Sequence, residues 1–125
     1  MYENFTSIND IVRAKVSLIK KFRSDVEDCF VELLDDHFLV DVNVTNNNNR
    51  NSGYFRCDIS IYRNAGDNGY PEEFNFIDIK EYVMMFESYI NEYEYENLKY
   101  NFPGVVDDLD SARVGYVKIG VWIKL

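Results

Sequence analysis

Val117, Ile119, Val121, Ile123 and Leu125 alternate along the end of this chain. A period of two marks a β-strand with one buried face. The opposite face carries Val114, Tyr116 and Trp122 between Lys118 and Lys124. A strand apolar on one side and half-apolar on the other reads as central in its sheet, so residues 112–125 are expected to close the fold, which should not tolerate their trimming.

The same alternation occurs twice earlier. Phe38, Val40, Val42 and Val44 interleave with Leu39, Asp41, Asn43 and Thr45; Phe55, Cys57, Ile59 and Ile61 interleave with Tyr54, Arg56, Asp58, Ser60 and Tyr62. With the polar residues 46–52 between them, they read as an antiparallel hairpin with a long tip. A second loop at residues 64–71 is dense in turn formers, and residues 74–77 offer a short third strand.

Helical spacing governs the rest. Ile8, Ile11/Val12, Leu18/Ile19, Phe22, Val26, Cys29/Phe30 and Leu33/Leu34 form one stripe, interrupted only at Lys15. Ser7 and Asp10 supply an N-terminal cap. The expected helix runs from about residue 8 to 36, a length that allows a break near Arg23 and Ser24. A second cap signature, Asp78-Ile79-Lys80-Glu81, precedes a stripe of Ile79, Val83, Phe86, Ile90 and Tyr93, predicting a helix that ends near Tyr100. Pro103, Gly104, Asp107, Asp108 and Asp110 lead into the final strand. The expected order is α-β-β-(β)-α-β: one α+β domain over residues 1–125, with both helices on one face of an antiparallel or mixed sheet of three or four strands.

The 125 residues fit a single domain, and a hydrophobic fraction of 46% suffices for a core. Asn, Tyr, Ile and Lys, all with AT-rich codons, are frequent, a usage found in many phages and some low-GC bacteria. The formal net charge of −9 disfavours direct binding to nucleic acid or to anionic lipid and favours a basic protein partner. The start, MYENFTSIND, has neither the basic nor the apolar segment of a signal peptide, and no apolar run approaches the ~20 residues that span a bilayer. The expected location is the cytoplasm of a host cell. Asn4-Phe5-Thr6 and Asn43-Val44-Thr45 match the glycosylation pattern by chance in that setting.

Little here supports catalysis. The single histidine, His37, falls at a helix–strand junction, two turns from Cys29, while Cys57 lies on a strand's apolar side. Neither forms a nucleophile–base pair with it at this spacing. Both cysteines are expected to be reduced and buried. No zinc spacing, phosphate-binding loop or nucleophile elbow occurs. The loop from Asn64 places Gly66 and Asn75 where a Ca²⁺ loop needs carboxylates, and Asp107, Asp108 and Asp110 read as a solvated turn. The expectation is a non-enzyme without metal or cofactor.

The clearest surface signal is acidic. Asp25, Asp28, Glu32 and Asp35/Asp36 recur every three to four residues, opposite Val26, Phe30 and Leu33. Lys21 can pair with Asp25, but the later acids have no basic residue four positions away. Acids at a helix C-terminus oppose its dipole, so local helix stability does not account for them. Glu92 and Glu96, with Tyr95, extend the pattern to the second expected helix. These residues read either as two solvated acidic faces that confer solubility or as the candidate surface for a basic partner, such as a nuclease or other nucleic-acid-binding protein, with carboxylates steering the encounter.

In composition and acidic rows the chain resembles phage anti-CRISPR and anti-restriction proteins and bacterial immunity proteins, which implies an inhibitor that occupies a basic surface. In layout, with FRCDISIYRN closing the hairpin, then EYVMMFESYI, then SARVGYVKIGVWIKL, it resembles phage tail-terminator and neck proteins. That second resemblance implies a non-enzymatic virion protein that forms a hexameric ring on a tail tube, with virion proteins as its partners. The long first helix and the weakly marked third strand of the sheet depart from it.

Overall fold

The computed structural model describes residues 8–46, 53–64, 72–102 and 112–125. Along them run α1 (Ile8–Cys29), a 3₁₀ helix (Val31–Asp36), β1 (Phe38–Asn46), β2 (Tyr54–Arg63), β3 (Phe74–Asn75), α2 (Ile77–Ile90), β4 (Glu94–Asn101), β5 (Arg113–Val114) and β6 (Val117–Lys124). The fold is α+β. Four strands form an antiparallel sheet in the order β1-β2-β6-β4, and β3 and β5 form a small second sheet. The alternating C-terminal strand, β6, is central as expected, hydrogen-bonded on both sides. The hairpin is also as expected, with Val42 facing Ile59 and Val44 facing Cys57. Its tip lies outside the described residues, as does Ser7.

One face of the sheet is apolar because period two puts Phe55, Cys57, Ile59 and Ile61 on the same side as Val117, Ile119, Val121 and Ile123. Both helices cover that face. Phe22, Val26 and Phe30 of the first helical segment join Ile79, Val83, Phe86 and Ile90 of α2 in the core. Phe30 and Phe86 meet at 6.1 Å between ring centroids, and Phe22 meets Tyr93 edge-on at 5.5 Å.

The first helix is shorter than expected, and its break comes at Phe30 rather than near Arg23 and Ser24. Phe30 leaves helical geometry at φ −112°, ψ 5°, and the chain tightens into the 3₁₀ helix that buries Leu33. His37, left-handed at φ 64°, ends it by donating its N–H to the Leu33 carbonyl. The only histidine is therefore a turn residue that reverses the chain into β1.

The second helix ends at Ile90, ten residues before its expected end at Tyr100, and residues 94–101 are an edge strand instead. No side chain caps its start: Phe76 is the N-cap, and Asp78 lies inside the first turn. Strand β4 pairs Tyr95 with Ile123 and Tyr100 with Ile119, so both face the core side. Between Glu96 and Lys99 the register slips, three steps on β4 against two on β6, with Asn97 at φ 56°. That bulge spaces the inward residues Tyr95, Leu98 and Tyr100 by three and then two. The uneven spacing hides the strand and imitates a helix. The final stretch is also divided. Val114 belongs to β5, buried against Phe74, and not to the outer face of β6.

On the sheet's outer face, the Arg56 guanidinium lies over Gly120, ion-paired to Asp58 at 2.9 Å and stacked 5.4 Å from the Trp122 ring centroid. A Cβ at position 120 would push that guanidinium, the end of a flexible side chain, away from its place over the strand.

Candidate functional site

Two tyrosines of α2 join the helical layer. Tyr89 donates to the Asp25 carboxylate at 2.7 Å, and Tyr82 donates to Glu32 at 3.2 Å. Position rises by seven along the first segment as it falls by seven along α2, so the two run antiparallel. Asp25 also accepts from Lys21 at 3.0 Å. Its carboxyl is held below the ordinary range, first by the Tyr89 hydrogen bond and then by Lys21. The Tyr89 hydroxyl is pushed up, by burial first and then by its hydrogen bonds to Tyr93 and Asp25.

The acidic candidates therefore divide. Asp25 and Glu32 serve the seam between the helices. Asp28, Asp35 and Asp36 are exposed. They do not share one α-helical face, because the α-helix stops at Cys29; at three residues per turn, Glu32 and Asp35 share a face of the 3₁₀ helix instead. No basic residue stands in the last turn of α1.

Glu92 and Glu96 are not an i,i+4 helical pair. Glu92 lies in the turn after α2, its N–H bonded to the Tyr89 carbonyl at 3.2 Å. Glu96 sits on β4 opposite Trp122, on the sheet's outer face. Tyr95 points the other way, its hydroxyl donating to the Asn91 side-chain oxygen at 3.0 Å. The helical layer thus gathers Asp25, Asp28, Glu32, Asp35, Asp36 and Glu92, and leaves out Glu96.

Two features escaped the pattern of the sequence. The solvent side of α2 exposes Ile77, Met84 and Met85, and with Cys29, Glu81 and Ser88 they line an open groove of about 660 Å³. The signal was Met84-Met85, apolar residues lying off the buried stripe. The other is a concavity of about 980 Å³ near β1, lined by Leu34, Leu39, Tyr62 and Tyr116 with Asp41 and Lys118.

Cys57 is buried as expected, but Cys29 is only half-buried, because it sits where α1 meets the α2 groove. Burial, and then Asp58, pushes the Cys57 thiol up to about 12. Burial and the neighbouring Asp28 and Asp25 raise Cys29. Cys29 should therefore react with a disulfide reagent at a measurable rate that climbs with pH as its thiolate forms, while Cys57 reacts only on unfolding. Equal labelling rates in the native protein would contradict this.

Among the described residues no group of three His, Cys, Asp or Glu is placed to hold a metal ion. Asp107, Asp108, Asp110 and most of the loop that starts at Asn64 lie outside them. No helix among the described residues is long and apolar enough to cross a membrane. The chain matches no family model, no curated protein and no solved structure.

Proposed function

We propose that this chain is a non-enzymatic protein-interaction module whose acidic helical layer docks on a basic, nucleic-acid-handling protein, in the manner of a phage anti-defence inhibitor or an immunity protein. The observation that carries this reading is the run of acids from Asp25 to Asp36, which contains no Lys or Arg. Among its exposed members Glu27 is ion-paired to Arg23 and Glu32 accepts from Tyr82, while Asp28, Asp35 and Asp36 stand where a helix C-terminus disfavours them. Charge kept against local stability fits a role in steering association.

The test has two steps. Affinity capture from the source cell, or from an infected host, identifies the partner; a nuclease or related basic protein is expected. Asp28→Asn with Asp35→Asn then removes charge and keeps size. Association should slow severalfold, the unmodified chain should lose rate as salt rises, and thermal stability should hold or rise slightly. Glu96→Gln, on the opposite face of the sheet, should leave the rate unchanged. An unaltered rate in the double variant would return these acids to a solubilising role. A second reading, a ring-forming virion protein, draws on the uncovered apolar residues of α1; co-purification with virion proteins would favour it.

A further inference from the structure

The apolar stripe of α1 is longer than the domain that it serves. Phe22 and Val26 are buried, yet Ile11, Val12, Val16 and Leu18 are 43–52% exposed. The seam explains why. Asp25 is level with Tyr89, so residues before Lys21 run beyond the end of α2 at Ile90. A dozen helical residues projecting without cover are marginal in water, and packing of an apolar face is what ordinarily supports them.

A second uncovered face has a matching length. Ile77, Met84 and Met85 on the outside of α2 are 47–56% exposed. At ~1.5 Å per residue, the Ile11–Leu18 and Ile77–Met85 rows each extend about 10–12 Å. Their charges are opposite. Arg13, Lys15 and Lys20 outnumber Asp10 along the α1 row, and Asp78, Glu81 and Glu92 outnumber Lys80 along the α2 row. Pairing α1 rows with each other would set net positive charge on net positive charge, and pairing α2 faces net negative on net negative. Only the crossed arrangement joins apolar surface to apolar surface and base to acid.

We propose that the N-terminal half of α1 of one copy docks in the α2 groove of a second copy of this chain. The contact is between unlike surfaces, so it closes either reciprocally, as a two-fold dimer, or around a ring. It depends on neither reading of function above, and it uses none of the acids assigned there to the basic partner except Glu92, which the test leaves unaltered.

Sedimentation velocity from low to high micromolar concentration tests it on the full chain. The unmodified protein should self-associate. Lys15→Glu with Lys20→Glu, and separately Glu81→Lys with Ser88→Lys, should each weaken association about tenfold or more, because like charges then face each other. These positions are at the surface, so far-UV circular dichroism should stay unchanged. Mixing the two variants in equal amounts should restore association, since the reversed charges complement across the contact. A monomeric unmodified chain, a variant that associates as well as the original, or a mixture that stays monomeric would each overturn the proposal.

Discussion

A chain lacking residues 120–125 should not melt cooperatively. The deletion removes Val121 and Ile123 from the core, both at most 1% exposed, together with half-buried Trp122. Each fully buried aliphatic side chain is worth ~1.5–3 kcal/mol, against a whole-domain stability of ~5–15 kcal/mol. Pairing is lost as well. Phe55, Arg56 and Cys57 lose their partners on one side, and Glu94, Tyr95 and Glu96 lose theirs on the other. Strands β2 and β4 would then present open edges, which invite aggregation. Calorimetry or a circular-dichroism melt decides the matter; a soluble fragment with one sharp transition would refute the central role of β6.

Phe22→Ala and Leu18→Ala should differ by several kcal/mol although the two residues are one helical turn apart on one stripe. Phe22 is 1% exposed and touches the rings of Tyr89 and Tyr93 at 5.7 and 5.5 Å between centroids. Its removal leaves a cavity at the point where α1 enters the core, costing about 3–5 kcal/mol. Leu18 is 48% exposed. Its truncation leaves no cavity and keeps a good helix former, so stability of the monomer should stay within about 0.5 kcal/mol. Urea melts at low protein concentration measure both. Equal losses would mean that the projecting half of α1 is packed within the monomer.

Most of the core was readable because strict periods map onto single faces. Val117 to Ile123, the hairpin and the Ile79-to-Ile90 stripe each repeat without interruption, and each packs into the core on the side that its period defines, with Val40 and Val44 half-buried there. Strand β4 was not readable. Its bulge at Asn97 breaks the period of two, and the Glu and Tyr residues around it fit a helix equally well until pairing with β6 decides between them.

The candidate surface shows the same division. Spacing places Asp25, Asp28 and Glu32 in a row, but nothing local distinguishes the two that accept hydrogen bonds from α2 tyrosines fifty and more positions away, Glu32 at 50 and Asp25 at 64, from the one that faces water. The stripe of α1 likewise reads as one core-facing surface from Ile8 to Phe30, broken only at Lys15. Composition, charge and local periodicity determined the α+β class, the central final strand, the hairpin and the acidic run. Tertiary structure decided where α2 stops, which strand takes the free side of β6, which acids are structural, and that half of α1 extends past its neighbour. The reason is physical: a side chain's own periodicity states which face is apolar, but only the length and register of the element packed against it determines how much of that face is covered.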